Sequence, residues 1–331
     1  MYVKIGKLIF PIVFTIIFSL YESNVISASM SCPSIIVDLL LGEPVPIEKA
    51  LDDMSQSRVV YVGEFHTITR HHALQAEILL GLIQRNPNIS LAMEMFTYDE
   101  QPVLDKWLSS REPVSALVES LGQDGWTNLA DYSHVLHVAR NGGIHVYGLN
   151  ISNRLVRKVA REGLESLSEQ EKSLVPPDIE PINPLYAKLL SMRLKVHRAF
   201  QGKTLDRVIF AQSLRDSVMA SRITKCLQGP KTNSSVVMVI AGNGHLNYGL
   251  GVPERVKRHI DVPSRIILSS ESGELELSES ERQQSVDIEI SHRDLQFIHQ
   301  RIADYLSLAP TKSNSRDESA DLWNVVRRRI D

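Results

Sequence analysis

The sequence predicts an α/β fold in which a mostly parallel open sheet is flanked by helices. Short β-branched runs, such as the one at 59–62, are apolar at every position, as strands covered on both faces are. Amphipathic stretches of helical length separate these runs, and glycine or asparagine ends several of them. Buried strands that alternate with helices indicate parallel strands joined by helical crossovers.

The first 30 residues are predicted to be a signal peptide rather than part of the fold. Lys4 and Lys7 precede an apolar stretch at 8–20, and small residues follow at 27–29. This is the layout of a secretory signal, with a basic start, a short apolar core and a small-residue cleavage zone. We therefore expect an exported protein, either periplasmic or associated with the outer membrane; an uncleaved anchor is the alternative.

Cysteine content and charge exclude several classes of protein. Two cysteines, Cys32 and Cys226, are too few for a disulfide framework. Cys32 is a candidate for lipidation, although the residues at 29–31 lack the aliphatic residue usual in a lipidation signal, and an incidental cysteine is the alternative. The net charge of −3, without a basic stripe before the C-terminus, argues against nucleic-acid binding.

The first half of the predicted sheet begins with two strand–helix units. A strand at 58–63 precedes a helix at 70–86. A second strand at 89–96 precedes a helix that Asp99 caps and that carries Pro102 in its first turn.

The next unit begins with a helix. It starts at Asp131 and is stopped by Asn141-Gly142-Gly143, after which a strand is expected at 144–150. Ser152 then opens a further helix.

The second half follows a proline-rich break at 175–184. A helical insertion at about 183–229 is expected to pack over the sheet, before a strand at 236–242. A helix near 252–260 and a strand at 264–270 complete the predicted set.

These elements form one predicted domain at 31–270, and 271–331 forms a polar, partly disordered C-terminal extension. In the extension we expect a strand at 286–290, a helix from 292 to 308 and a closing helix at 320–330, all packed peripherally.

Two predicted strands end in the same way, with a glycine followed three residues later by a histidine. Gly63 precedes His66, and Gly242 precedes His245. Glycine lets the chain turn sharply beyond a strand and approach a ligand closely. Because ligands of open α/β sheets bind beyond the carboxyl ends of the strands, we expect the two imidazoles to face one crevice.

Other polar residues are expected at the same edge of the sheet. Glu64 and Asn243 lie within the two motifs, and Asn150 ends another strand. Glu94 lies inside the apolar stretch "LAMEMF", where an unpaired carboxylate would cost several kcal/mol. Each residue alone is compatible with an ordinary loop or strand end, but the two histidines together with Glu94 indicate a functional site.

Two further groups are weaker candidates. His71 and His72 open the helix after the first motif, so that one of them can face the crevice while the other faces solvent or the next helix. Gln212, Arg215 and Asp216 recur at helical spacing. Arg215 and Asp216 form either a surface ion pair of little energy or part of a helix across the crevice, in which Asp216 orients a histidine.

Five blocks of the sequence occur in an order and spacing that point to a family. They are "VVYVGEFHTITRHHALQAEIL", "LAMEMFTYDEQPVLDKWLS", "NGGIHVYGLNISNRLVRKVAREGL", "AQSLRDSVMA" and "AGNGHLNYGLGVPERV". Over about 51–270 the chain resembles the ChaN-like haem-binding uptake proteins, which belong to a wider superfamily with Tiki-type metalloproteases and erythromycin esterases.

The resemblance implies an exported, often lipid-anchored bacterial protein that binds haem for iron acquisition, with paired haems at a homodimer interface. It places the two Gly-x-x-His motifs on those that end at His66 and His245, the strand glutamate on Glu94, and the iron ligand on Tyr248. A phenolate is a suitable axial ligand for ferric haem, although a packed loop aromatic is the other interpretation of Tyr248. Without a Cys-x-x-Cys-His motif, any haem is bound non-covalently.

Two hypotheses follow from different classes of function. In the first, haem lies between the loop at 242–251 and the helices that cover the crevice. Its candidate contacts are Tyr248, His245, His66, Asn243, His71, His72, Gln212, Arg215 and Asp216.

In the second hypothesis the chain is an enzyme. His66, Glu94 and His245 hold a divalent metal whose bound water attacks an ester or a peptide, with Glu64 as a further catalytic candidate. Alternatively, His66 acts as a general base without a metal.

Overall fold

The computed structural model describes residues 34–122, 125–177, 179, 181–194, 202–228, 236–272, 279–285 and 292–309. The strands of this part of the chain are β1 (Ile35–Asp38), β2 (Glu43–Val45), β3 (Val59–Glu64), β4 (Ile89–Thr97), β5 (Val146–Asn150), β6 (Val236–Gly242), β7 (Ser264–Ser269) and β8 (Tyr305–Leu308). They form one sheet in the order β2-β1-β8-β7-β3-β6-β4-β5.

The centre of the sheet is parallel. Strands β8, β7, β3, β6, β4 and β5 run in the same direction, whereas β1 pairs antiparallel with β8 and β2 pairs antiparallel with β1. All residues of β3 and β6 are buried, which explains why their sequences are apolar almost throughout and rich in valine. The predicted fold class, a mostly parallel open sheet with flanking helices, is confirmed.

Helices cover both faces of the sheet. They are α1 (Ile47–Ser55), α2 (Thr69–Arg85), α3 (Gln101–Leu108), α4 (Val114–Leu121), α5 (Ser133–Asn141), α6 (Asn153–Glu162), α7 (Glu169–Lys172), α8 (Pro184–Leu194), α9 (Lys203–Gln228), α10 (Asn243–Leu246), α11 (Val252–His259), α12 (Glu279–Gln284) and α13 (His292–Leu295). Along β3, Val60 and Val62 pack in the core that includes α1 and α2, while Val59 and Tyr61 pack in the core that includes α9 and α11. The period-2 alternation of a strand thus divides its side chains between two apolar cores.

Helices α8 and α9 account for the expected helical segment at 183–229. Helix α9 is the last helix before β6 and packs directly against β5 and β6, as well as against α6 and α11. It therefore belongs to the helical layer on one face of the sheet.

Two adjacent strands, β3 and β6, have crossovers that leave to opposite faces. The connection from β3 passes through α2 on one face, and the connection from β6 passes through α11 on the other. The carboxyl ends of β3 and β6 therefore border a crevice of the kind in which α/β proteins bind ligands.

Two local predictions are wrong. The turn before α3 is capped by Thr97 and Glu100, each of which bonds the other's backbone, and not by Asp99. A reciprocal capping box satisfies two backbone N–H groups at once, which a single aspartate does not.

The expected helix from 292 to 308 is also wrong. Only His292–Leu295 is helical, and Tyr305–Leu308 forms β8 between β1 and β7. Tertiary pairing decides the conformation here, because this strand fills a position that would otherwise leave two edges unpaired. The C-terminal extension thus contributes to the main sheet.

Several expectations concern residues outside the described ranges. These are the signal peptide at 1–30, Cys32, the strand at 286–290 and the closing helix at 320–330. Among the helices that the structure does describe, none combines the length and the apolar character needed to cross a membrane.

Candidate functional site

The two Gly-x-x-His motifs lie side by side. In the pairing of β3 with β6, Gly63 is opposite Ala241 and Glu64 is opposite Gly242. A Cβ atom on Gly63 would lie 2.3 Å from Asn243 Oδ1, and one on Gly242 would lie 2.8 Å from His66 Nε2. The glycines are therefore required by close packing at the strand ends, where each chain turns into its motif.

The first motif forms a buried carboxylate–imidazole pair. Glu64 Oε1 accepts a hydrogen bond from His66 Nδ1 at 2.6 Å and another from the Tyr132 hydroxyl at 2.5 Å. Glu64 Oε2 accepts a hydrogen bond from the Gln75 amide at 2.6 Å and lies 3.3 Å from His72 Nε2. The carboxylate is fixed from four sides, and it orients His66 so that Nε2 faces the crevice.

The second motif forms a matching pair. Asp216, on α9, accepts a very short hydrogen bond from His245 Nδ1. His245 Nε2 lies 3.2 Å from Glu94 Oε1, and the Gln212 amide lies against the same ring. Each motif histidine is thus held at Nδ1 by a carboxylate and presents Nε2 to the crevice.

Glu94 lies between the two imidazoles. Its Oε1 faces His245, while its Oε2 accepts a hydrogen bond from the Gly242 N–H at 2.8 Å and lies 4.0 Å from His66 Nε2. The Asn150 amide donates to the Glu94 backbone carbonyl at 3.0 Å and so ties β4 to β5 at this point. The five ionisable groups in order are Glu64, His66, Glu94, His245 and Asp216, and we call this sequence of groups the polar chain.

Electrostatics favour alternating charge along the polar chain. Burial alone would raise the pKa of Glu64, but the imidazoles of His66 and His72 lower it to about 2. Burial likewise opposes the charge on Glu94, yet His245 and His66 hold the pKa of this carboxyl well below its usual range. Both glutamates are therefore ionised at neutral pH.

The two histidines respond in the opposite direction. Burial would lower the pKa of His245, but the carboxylates of Glu94 and Asp216 raise it to about 10. Burial opposes the charge on His66 as well, and its hydrogen bond to Glu64 and the charge of Glu94 raise its pKa above the ordinary value. At neutral pH, His245 is an imidazolium that is held between two carboxylates.

Arg255 supports the second pair from behind. This buried side chain donates to the Ser213 and Ser217 hydroxyls and to the Gly251 carbonyl, and its Nη1 lies 4.0 Å from Asp216 Oδ2. The guanidinium places a second positive charge beside Asp216 and connects α9 to α11. A buried charge with this many partners is costly to remove, because its partners lose their compensation.

Three of the candidate residues outside the polar chain hydrogen-bond to neighbouring groups. His71 is fully buried and accepts from the Phe65 N–H through Nδ1, so that Nε2 carries the proton and donates to the Ser270 carbonyl at 3.0 Å. Asn243 donates to the Ser269 carbonyl at 2.8 Å and secures β6 to β7. Arg215 donates a hydrogen bond to the Asn153 side-chain oxygen at 3.1 Å, and its positive charge helps to lower the pKa of Glu94.

His71 and His72 therefore have structural environments. One alternative was that one of these two histidines faces solvent. It is wrong, because both side chains are buried. Burial also lowers the pKa of His71, which agrees with a neutral imidazole that bridges two backbone groups.

Tyr248 lies in a separate cleft on the other side of the second motif. We call this the tyrosine cleft; its volume is about 160 Å³. Its lining residues are Tyr186, Leu189, Leu190, Met192, Arg193, Gly244, Asn247, Tyr248, Leu295 and Ile302. Tyr248 is half-buried and adopts the left-handed backbone conformation, with φ of 59°. A bulky residue in this conformation is uncommon, and such outliers concentrate at functional sites.

The side chains of the tyrosine cleft suit haem better than those of the polar chain. Leucine, isoleucine and methionine would offer an apolar surface to a porphyrin, Arg193 would offer a cation to its carboxylates, and Tyr248 would offer an oxygen donor. Within the described residues, no three histidine, cysteine, aspartate or glutamate side chains are arranged as a metal site. The expected grouping of His66, Glu94 and His245 is arranged as ion pairs, with Glu94 3.2 Å from His245 and 4.0 Å from His66.

Several site residues were not singled out from the sequence. Tyr132 and Gln75 hold Glu64, Arg255 supports Asp216, and Trp126 contacts the His66 ring edge-on at 4.9 Å between ring centres. Gln75 could have been found as an amide on the apolar face of α2, one turn after His72. The others have no sequence signal, because tertiary structure alone brings them to the motifs.

Comparison with known proteins shows the family and the fold. The sequence model of the family described as "Haem-binding uptake, Tiki superfamily, ChaN" matches residues 50–256, more than half of the chain. A solved structure of ChaN from Campylobacter jejuni, described as showing cofacial haem binding, is similar at a TM-score of 0.60 and 18% identity. The match covers 84% of this chain and 97% of that chain, and at this identity it shows the fold alone.

Two further proteins are similar over part of their length. Protein RETICULATA-RELATED 5, chloroplastic, from Arabidopsis thaliana is 25% identical over 248 residues, which cover 69% of this chain but 34% of the plant protein. The chain thus spans about a third of the length of that relative. A solved structure of a mutant of the erythromycin esterase EreC matches 71% of this chain and 76% of its own at 13% identity, and its TM-score of 0.42 is too low to carry an argument. The family match over most of the domain shows that the chain belongs to the ChaN-like haem-binding uptake family of the Tiki superfamily.

Proposed function

We propose that the chain binds ferric haem in the tyrosine cleft, with Tyr248 as the iron ligand. The observation that carries the proposal is the placement of Tyr248, a half-buried phenol in the left-handed conformation at an apolar cleft. Family membership supports haem as the ligand. The phenol follows the second Gly-x-x-His motif by three residues, so the loop that closes the polar chain also carries the donor.

The roles of the cleft residues follow from their chemistry. Tyr248 holds an oxygen donor at a fixed point, Leu189 and Ile302 exclude water from its surroundings, and Arg193 attracts an acidic ligand edge. When bound, haem supplies a ferric iron, for which a phenolate oxygen is a suitable ligand. Haem that is held by one protein ligand and by apolar contacts can be both taken up and released. A protein that carries iron requires both steps.

Titration with ferric haem tests this proposal. We expect the purified chain to shift and sharpen the Soret absorbance, and Tyr248→Phe to abolish that shift while the fold is kept. Tyr98→Phe is the matched control, because Tyr98 is an exposed tyrosine that lies beside Arg222 and does not line the cleft. Absence of binding by the unaltered chain, or unchanged binding by Tyr248→Phe, would refute the proposal.

Export and iron acquisition form the cellular part of the proposal. The basic and apolar pattern at 1–30 supports secretion, with Cys32 as a candidate lipid anchor. The similar Arabidopsis protein is named as chloroplastic, which makes import into a plastid the competing location. Fractionation of cells that produce the full chain, with the first 30 residues present or removed, distinguishes the two.

The polar chain supports a second candidate function, acid–base hydrolysis of an ester or a peptide. The observation in its favour is the matched pair of carboxylate-bound imidazoles on either side of Glu94. Because the pKa of His245 is raised to about 10, this imidazole would donate a proton at neutral pH rather than accept one. Glu94, whose pKa is held well below its usual range, stabilises this imidazolium rather than accepting a proton, and His66 stays the candidate base.

A panel of esters and peptides, assayed with and without added divalent metal, tests the hydrolase candidate. We expect any turnover that belongs to this site to be lost in His245→Ala and in Glu94→Gln. Turnover that survives both substitutions, or none in the unaltered chain, would remove it. The haem titration is independent of this result because Tyr248 is not part of the polar chain.

A further inference from the structure

A segment of the C-terminal extension lies across the tyrosine cleft. We call residues 292–304 the strap; they follow the family-matched residues, which end at 256. Leu295 and Ile302, both in the strap, line the cleft opposite Leu189 and Met192 of α8. One wall of the cleft is therefore built from a part of the chain that the family match does not include.

The strap holds the backbone of Tyr248 on both sides. The Tyr248 N–H donates to the Ile302 carbonyl at 2.8 Å, and the Gln300 side-chain amide donates a very short hydrogen bond to the Tyr248 carbonyl. The left-handed conformation is unfavourable for a tyrosine, so it persists only where surrounding contacts enforce it. These two hydrogen bonds are such contacts.

The two ends of the strap are held with different strength. At its C-terminal end, Asp304 accepts from the Ile266 N–H through its side chain and donates to the Ile266 carbonyl, directly before β8. Near the N-terminal end of the strap, the Lys188 ammonium lies over the Phe297 ring, 3.8 Å from the ring centre. Lys188 is exposed on α8, so this contact is a weak one that can open while β8 remains in place.

We propose that the strap positions Tyr248 for its ligand and gates the tyrosine cleft, with Gln300 as the positioning residue and the Lys188–Phe297 contact as the latch. This inference rests on the proposed function of the cleft. Opening of the latch lifts Leu295 and Phe297 from α8, and the cleft then admits or releases a flat apolar ligand. The bonds from Gln300 and to Ile302 keep the phenol at one orientation while the latch is closed.

Hydrogen exchange of the ligand-free chain tests the positioning role without haem. Gln300→Glu keeps the shape of the side chain but replaces the donor with an acceptor, so we expect faster exchange of the Tyr248 amide. Gln300→Lys retains an N–H donor and should restore slow exchange. If Gln300 had only a general structural role, the exchange rate would not depend on whether the side chain at this position can donate a hydrogen bond.

Haem transfer to excess apomyoglobin tests the latch. We expect Lys188→Ala and Phe297→Ala to speed release roughly two- to fivefold, the effect that loss of an exposed cation–π contact produces. The absorbance spectrum of the bound ferric haem should stay unchanged in both variants, because Tyr248 is retained. Lys257→Ala is the matched control, since Lys257 is exposed on α11 and faces Asp261 instead.

The outcomes separate the strap from the function on which it rests. Haem binding by the unaltered chain, with unchanged exchange in Gln300→Glu and unchanged release in both latch variants, overturns the strap and leaves the haem proposal standing. Failure of the unaltered chain to bind haem overturns the proposed function and the gate together. The strap proposal requires two results. Slow exchange of the Tyr248 amide is lost in Gln300→Glu and recovered in Gln300→Lys, and the latch variants release haem faster.

Discussion

Glu94 faces both motif imidazoles with its two carboxylate oxygens, so a single side chain links the two halves of the polar chain. Its negative charge stabilises the imidazolium of His245, and the imidazolium in turn keeps Glu94 ionised inside an apolar strand. Neither charge would be tolerated alone at this depth, because an unpaired buried charge costs several kcal/mol. The pair is therefore best understood as one unit.

Replacing Glu94 by glutamine should lower the pKa of His245 from its value of about 10. The group contributes stability that is fully present below the ordinary histidine pKa of about 6.5 and is lost as the pH rises towards 10. Glu94→Gln removes part of that contribution while it keeps the shape of the side chain. Titration of the imidazole signals by NMR measures the change, and the exposed Glu119→Gln should leave them in place. An unaltered His245 titration in Glu94→Gln would contradict the coupling.

Gly63 tests the close packing of the two motifs. A Cβ atom there would lie 2.3 Å from Asn243 Oδ1 and 2.5 Å from Leu268 Cδ2, so Gly63→Ala should lower the free energy of unfolding by about 1–3 kcal/mol. Gly244 is the matched control, because its nearest contact would be the flexible Arg193 side chain at 3.5 Å. Urea denaturation of both variants gives the comparison. Equal stabilities for the two would show that the strand ends have room to move.

At the scale of elements, β8 explains how the C-terminal extension joins the fold. The strand pairs with β1 and β7, and the Tyr305 hydroxyl donates to Asp53 of α1 at 2.7 Å. Asp53 also accepts two hydrogen bonds from Arg265 of β7, at 2.6 and 2.9 Å. One carboxylate thus connects a helix and two strands, and it anchors the end of the strap.

Acid should weaken this anchor. The hydrogen bonds from Arg265, with that from Tyr305, lower the pKa of Asp53 below its ordinary value. The resulting stability is present above the ordinary carboxyl pKa of about 3.9 and is lost as the pH falls through the lowered value. We expect urea midpoints of the unaltered chain to fall more steeply below pH 4 than those of Asp53→Asn. Asp261→Asn, at an exposed position, should behave as the unaltered chain does; parallel curves for all three would rule out the anchor.

At the scale of the whole molecule, the sequence predicted what local pattern controls. Buried strands and strand-end glycines located β3 and β6, and the Gly-x-x-His spacing placed His66 and His245 at one sheet edge. Strand β8 could not be predicted, because its conformation depends on a gap between β1 and β7 that no local pattern shows. The separation of Tyr248 from the polar chain was hidden for a related reason. Here the chain makes a tight turn, in which Gly251 packs against the His245 carbonyl. His245 therefore faces the polar chain, whereas Tyr248 faces the tyrosine cleft.

The resemblance to ChaN-like proteins implies that haem joins two copies of the chain, and we expect this to happen at the tyrosine cleft. Its volume of about 160 Å³ is below the range of roughly 300–1,000 Å³ in which pockets enclose small ligands, so a bound haem would leave one apolar face uncovered. Covering that face with a second copy removes apolar surface from water, at about 25 cal/mol for each Å². We expect sedimentation to show a monomer without haem and a dimer with it, and Tyr248→Phe to stay monomeric in both conditions.

Leu295 separates ligand binding from association, because it lines the cleft and is 38% exposed. Leu295→Lys should keep the spectrum of bound ferric haem while it weakens the dimer, since a charge at this rim opposes burial against a second copy. A monomer that persists when the unaltered chain is saturated with haem would mean that the cleft covers its ligand without a partner.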